Sequence, residues 1–291
     1  MSAILEGPAG EGRAEVGDAA RGDAVELSAP VTRSAGRVAP KPKVLADIAV
    51  IAQRNIRTTL RQPALIVFVV IQPVLFVLLF RYVFGGAIRG VPGGRYVDFL
   101  MPGIITQTVA FGSTGTAIAL ATDMQEGIID RFRSLPMSRS AVVAGRVVSD
   151  LVRLSFTMSL MTLVGLAVGW RPHVGIRLAP ALLVALGFGM AMSWLAAFIG
   201  LMAGSEETAQ SISFVSTFPL TFASSVFVPV ASMPGWLQAI AKVNPITLVA
   251  STVRAFTTNA PVGNAWWQAL LWIAGLSLVG GTLAVRRFQN G

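Results

Sequence analysis

The sequence predicts an all-α, polytopic membrane protein with six transmembrane helices preceded by one amphipathic helix at the membrane surface. Three observations carry this expectation. The chain is 54% hydrophobic and 13% charged, with mean hydropathy +0.68, which leaves too little polar surface to coat a soluble body of 291 residues. Several uncharged runs approach or exceed the roughly 20 residues a helix needs to cross about 30 Å of hydrocarbon. The remaining charges gather between those runs, most densely in EGIIDRFRSLPMSR at residues 126–139.

Residues 1–42 are rich in Ala, Gly, Pro and small polar residues, bury too little to fold, and lack the apolar core of a signal peptide. They are read as a disordered cytoplasmic tail, and residues 43–288 as the transmembrane domain. From Lys43 to Arg61, Leu45, Ile48, Ala49, Ala52, Ile56 and Leu60 recur at spacings of three and four, while Asp47, Arg54, Arg57 and Arg61 fall largely on other faces. This pattern predicts a helix lying among the headgroups, with packing on the protein as the alternative.

Six spans follow, at about 64–84, 99–121, 147–169, 178–203, 208–228 and 265–285. The fourth and sixth sit in uncharged runs of ample length, residues 178–205 and 255–285. The uncharged run 208–241 is longer than one span, but Pro229, Pro234 and Gly235 interrupt its second half, and lipid cannot replace the donor that proline lacks. One span is therefore expected there, then a short helix around residues 236–242 at the far interface. Pro73, Pro102 and Pro219 fall within or at the start of the first, second and fifth spans, where each can kink a helix. Gln72, Gln107 and Gln210 are polar residues inside spans that can bond between helices or line a route for substrate. Trp266 and Trp267 fit an interfacial belt.

With the amino terminus inside, the inner segments hold Lys41, Lys43, Arg54, Arg57, Arg61, Arg131, Arg133, Arg139, Arg146, Arg286 and Arg287. The outer segments hold Arg81, Arg89, Arg95, Arg171, Arg177, Lys242 and Arg254. Eleven against seven places both termini in the cytoplasm.

The net charge of +9 is scattered around apolar runs, which fits topology and anionic headgroups rather than nucleic acid. There is no cysteine and one histidine, His173, which reads as a solvated loop residue beside Arg171 and Pro172. No G-x-x-x-x-G-K-[ST] motif occurs, so the chain has no nucleotide cradle of that kind. Asp150 and Arg153 share one helical face in the third span and read as a local ion pair that snorkels toward the near interface. An ion relay is the alternative.

The run at residues 126–139 resembles the permease subunits of the ABC-2 class of ABC transporters, especially the daunorubicin-resistance type of actinobacteria. The likeness rests on Glu126 and Gly127, RFRSLPMSR from Arg131 to Arg139, and Gly145 and Arg146. It continues with Pro229, MPGWL from Met233 to Leu237, Asn244 and Pro245, and Arg254. Each motif is short, but their order within six spans is specific, and together they cover about residues 43–288. The resemblance implies a type V exporter-like permease at the plasma membrane, moving lipophilic drugs, lipids or secondary metabolites outward.

It further implies that Glu126, Gly127, Asp130, Arg131, Phe132, Arg133, Leu135 and Pro136 couple to a separate ATPase subunit. The helix bearing Arg54, Arg57 and Arg61 would help transmit motion, and Pro229, Pro234, Trp236, Asn244, Pro245 and Arg254 would cap the outer end of the pathway. The implied partners are that ATPase, a second permease chain, membrane lipids and the lipophilic substrate, with no nucleic acid. This chain would hold no cofactor, since ATP and Mg would bind the ATPase. The residue chemistry adds modest support, because charges at Asp130, Arg131 and Arg133 with a stop at Pro136 suit a short docking helix.

Two other classes compete. A polytopic lipid-modifying enzyme needs converging acid, base or metal residues, and an ion-coupled transporter normally keeps ionisable groups near the midplane; the sequence is poorly equipped for either.

The topology is directly testable in this cysteine-free chain. With residues 123–146 inside and residues 86–97, 171–176 and 229–262 outside, Arg89→Cys is expected to react with an impermeant thiol reagent only from outside. Labelling only from inside would overturn the orientation.

Overall fold

The computed structural model describes residues 49, 51–53, 55, 63–86, 88, 91, 95–129, 139–172, 177–258 and 260–290. Among them are nine α-helices and no strand. The first, α1 (Pro63–Leu78), runs directly into a π-helical turn at Leu79–Phe84. Then come α2 (Tyr96–Gly112), α3 (Thr114–Gln125), α4 (Arg139–Ala167) and α5 (Leu178–Ala203). The chain continues through α6 (Glu206–Phe222), a 3-10 turn at Val230–Ser232, α7 (Gly235–Val243), α8 (Pro245–Thr257) and α9 (Ala265–Asn290).

By length and composition, four stretches among the described residues can cross a membrane: Tyr96–Gln125, Val142–Ala167, Leu178–Ala203 and Ala265–Gln289. The all-α membrane fold is thus as predicted. The predicted first and fifth spans correspond to α1 with its π turn and to α6, whose 17 residues fall short of that standard. The predicted third span is α4, which begins at Arg139 rather than Val147, and the predicted fifth, α6, ends at Phe222, before the prolines that were expected to close it.

The central helix α5 packs against α2, α3, α4, α6, α8 and α9. Contacts this close depend on small residues, because lipid supplies no hydrophobic drive between helices and association rests on packing. A Cβ at Gly200 of α5 would overlap the backbone of Ala117 in α3, and one at Gly103 of α2 would overlap Val226. The main core joins Phe99, Leu100 and Ile104 of α2 to Met161 of α4, Phe188 of α5 and Val249 of α8. A second cluster lies at the end of the bundle from which the 126–138 segment departs, with Leu120, Val143, Leu201, Phe288 and Ile51.

Ile51 shows that the amphipathic lead-in packs partly on protein. Ile51, Ala52 and Asn55 are buried, while Ala49, expected on the apolar face, is exposed. Arg54, Arg57 and Arg61 lie outside the described residues.

The largest difference from expectation is α8. Residues 245–257 were read as part of an outer segment, yet they form a helix buried against α2, α5 and α9. Arg254, counted among the outer loop charges, is therefore inside the bundle. The signal was present in the sequence: Asn244 caps the helix, accepting from Ile246 N at 2.9 Å, and Pro245 occupies the first turn, where a missing N–H costs nothing.

Gly200→Val is expected to lower stability by about 1–3 kcal/mol through overpacking against α3, read as a lower thermal midpoint in detergent. Gly275→Val, with no atom within 4 Å of its Cβ, is expected to leave the midpoint in place.

Candidate functional site

Where a helix is interrupted inside a membrane, its freed carbonyls need donors. Two polar clusters in this chain meet that need. The first gathers around residues 223–228, at the end of the bundle opposite the 126–138 segment. Arg254 of α8 donates from Nε to Phe99 O at 3.0 Å and from Nη2 to Ser225 O at 3.0 Å, and its guanidinium lies 3.7 Å from the centre of the Phe99 ring. Asn244, 3% exposed, donates from Nδ2 to Leu220 O at 2.7 Å and to Ala223 O at 3.1 Å, filling carbonyls at the end of α6. Thr247 Oγ1 accepts from Ser225 N, and Tyr96 Oη donates to Phe227 O at 2.9 Å. Side chains of α2, α8 and the α7–α8 junction thereby hold one connecting loop.

The second cluster lies at the junction of α2 and α3. In an unbroken helix Gly112 O would accept from Thr116 N. Here Thr116 N donates to Ser113 O at 2.9 Å instead, and Gly112 O is taken by Arg153 Nη2 of α4 at 2.6 Å. Arg153 also donates from Nε and Nη2 to Asp150 Oδ1 at 3.3 and 3.0 Å, and Ser193 Oγ of α5 donates to Asp150 Oδ2 at 3.3 Å. The Asp150 side chain is 4% exposed and lies about 12 Å into the span that begins at Val142, at 1.5 Å per residue. The pair is built into the bundle rather than snorkelling toward its edge. Adjacent to it, Ser113, Thr114, Ser213, Ser216 and Thr217 line a cavity of about 10 Å³, room for one water molecule. The buried Ser213 hydroxyl there has no partner among the described residues.

Of the sequence-predicted coupling residues, Glu126 closes α3 and Gly127 follows it in the left-handed region at φ 66°. Asp130, Arg131, Phe132, Arg133, Leu135 and Pro136 lie outside the described residues. Of the predicted cap, Asn244, Pro245 and Arg254 meet in the first cluster. Pro229 and Pro234 precede the 3-10 turn and α7, and Trp236 points outward at 70% exposure. Sequence reasoning missed Tyr96, Thr247 and Ser225, whose residue types carry no signal until the loop is placed. It also missed the track Phe214–Phe218–Phe222–Phe227–Phe80, with successive ring centres 4.3–5.4 Å apart. Phe214, Phe218 and Phe222 sit on a face of α6 that also exposes Gln210 and Ser211.

Comparison with known proteins adds to this geometry. Residues 46–257 match the ABC-2 type transporter family. A daunorubicin resistance ABC transporter permease of Streptomyces coeruleorubidus is 33% identical over 232 residues, covering 78% of this chain and 81% of that protein. A probable doxorubicin resistance ABC transporter permease of Mycobacterium tuberculosis is 25% identical, covering 72% and 76%. A probable multidrug ABC transporter permease of Escherichia coli is 21% identical, covering 68% of this chain and 54% of its own length.

Arg254→Leu removes two charge-assisted bonds and is expected to cost about 3 kcal/mol, while Asn244→Ala, losing the α8 cap, should cost at least about 1 kcal/mol. Denaturant or thermal unfolding in micelles measures both. Wild-type stability for Arg254→Leu would show that the loop is held by other means.

Proposed function

The chain belongs to the ABC-2 type transporter family, and on that premise we propose that it is the membrane-spanning half of an ATP-driven exporter of lipophilic drugs or drug-like metabolites. Two copies, or this chain and a related one, assemble with two separate ATPase subunits that bind ATP and Mg. Residues 123–139, with Glu126, Gly127, Asp130, Arg131, Phe132, Arg133, Leu135 and Pro136, dock on the ATPase, and both termini are cytoplasmic. The helix bearing Arg54, Arg57 and Arg61 helps transmit the motion, and the cluster around Asn244, Pro245 and Arg254 closes the outer end of the pathway.

The observation that carries this reading is the family match together with the 33% identical relative, whose name records daunorubicin resistance. The α6 face supports it further. A membrane helix that leaves Gln210 and Ser211 uncovered beside three phenylalanines suits a second permease chain or a substrate route better than bulk lipid. A membrane enzyme and an ion-coupled carrier fit less well, since the relatives named above are transport permeases.

Reversing Arg131 and Arg133 to Glu places mismatched charge at the docking segment, where such juxtapositions cost several kcal/mol. The double variant is expected to insert, because the spans are unchanged, but to lose co-purification with its ATPase or ATP-dependent doxorubicin uptake into inverted vesicles, the readout of efflux. Normal association and normal efflux would remove this segment as the transmission element.

A further inference from the structure

Arg153 does more at the α2–α3 junction than neutralise Asp150. Its guanidinium occupies the space above Gly115, where a Cβ would lie 2.9 Å from Nη2, 3.0 Å from Nη1 and 3.2 Å from Cζ. From that seat it fills a carbonyl that the shifted hydrogen bonding frees, Gly112 O, while Asp150 and Ser193 fix its position from α4 and α5. Gly112 completes the fit, since a Cβ there would meet Leu154 Cδ2 at 2.5 Å, one residue from Arg153. The hydrogen bond of Arg153 ends on the last residue of α2 and its seat is Gly115 of α3, so the contact holds α4 at the α2–α3 junction; α3 and α4 are the helices that flank residues 126–138 in the chain.

Direct packing would not bind them strongly. α3 lies chiefly on α5 and α6, and α4 chiefly on α5 and α2, with a much smaller interface between α3 and α4. The guanidinium packed on Gly115 is therefore a specific contact between the segment's two stems, and its hydrogen bond to Gly112 O fixes that contact at the junction.

We propose that Arg153, seated on Gly115 and held by Asp150, is a positioning residue that ties α4 to the α2–α3 junction, so that α3 and α4 move as one lever pivoting at Ser113. Seen this way, Gly115 is required as an empty seat for a cation, and the shifted hydrogen bond at Thr116 provides the acceptor. A displacement applied at the ends of α3 and α4 then reaches the junction as a rotation of both helices rather than as a separation of one from the other. The functional part of the proposal rests on the reading of residues 123–139 as the ATPase-facing segment; the tie itself does not.

Two variants separate the tie from folding. Gly115→Ala changes no charge and meets only the far end of a flexible side chain, so it moves the guanidinium at little cost to the fold. Arg153→Lys keeps the charge but cannot serve Asp150 and Gly112 O through a planar fork. Spin labels at Gln125 on α3 and Val148 on α4, both exposed, report the distance between the stems in the full chain in nanodiscs. Labels at Gln125 and Tyr82, which lies near the opposite end of the bundle and is 68% exposed, report the swing of the lever.

In the wild-type chain alone, a single narrow Gln125–Val148 distance is expected, and both variants are expected to lose it to a broad distribution. With the ATPase bound, a non-hydrolysable ATP analogue is expected to shift the Gln125–Tyr82 distance in the wild type, and both variants are expected to lose that shift while still binding the ATPase. A narrow, wild-type Gln125–Val148 distance in both variants overturns the tie. A retained nucleotide-driven shift in both overturns the lever. Failure of the wild-type chain to bind any ATPase counts against the functional reading, while the measurement on the chain alone still decides the tie.

Discussion

The structure depends on one constraint: a backbone carbonyl that loses its helical partner inside hydrocarbon must find another donor. Continuous helices satisfy this automatically, and a pathway through a membrane requires departures from them. At the α2–α3 junction the donor is Arg153. At the end of α6 it is Asn244, and at the loop that follows it is Arg254. Each of these groups reaches across to another helix, so the repair of a local defect also links distant parts of the chain. Charge is expensive in this setting, and two of the three donors are arginines because a planar fork can meet several acceptors at once.

The repairs also explain how the helices sort themselves. α5 can lie at the centre because its inward positions are small or apolar, with Gly200 against Ala117 and Ser193 meeting Asp150. Helices at the edge retain what the centre cannot hold. α6 keeps an uncovered face of Gln210, Ser211 and phenylalanines, and α9 keeps Trp266, Trp267 and Trp272 exposed at 41–47%. The tryptophans suit a lipid interface, whereas the mixed face of α6 suits protein or a hydrated route.

Most of the fold was legible because long uncharged runs have few alternatives. The fourth span was read as residues 178–203, the range it occupies, since Arg177 and Glu206 bracket a long uncharged run and Pro180 falls in the first turn, where a missing N–H is tolerated. The breaks were harder. Prolines were expected to mark them, yet the second span is interrupted at Ser113, beyond Pro102, by a change of hydrogen bonding that has no strong sequence signature. Residues 245–257 were assigned to an outer segment because the preceding prolines suggested irregular chain, although Asn244–Pro245 is a helix-start signal in its own right. At the candidate site, Asn244, Pro245 and Arg254 were selected through family resemblance alone, and only the fold revealed that they address carbonyls of Leu220, Ala223, Ser225 and Phe99. Asp150 and Arg153 were noticed as an i,i+3 pair, but the acceptor that gives them meaning lies 41 residues earlier in the chain.

The central position of α5 also imposes an order in time. Synthesis delivers α2, α3 and α4 before α5, so Asp150 must enter the bilayer before Ser193 exists to meet it. Arg254 completes its contact with Phe99 across 155 residues, when all but the last helix has been made. The early helices must therefore wait, either unpacked or sheltered by the insertion machinery, until their partner arrives. For this protein the passage from ribosome to bilayer is itself a folding problem, and its most exposed moment falls between the exit of α4 and that of α5.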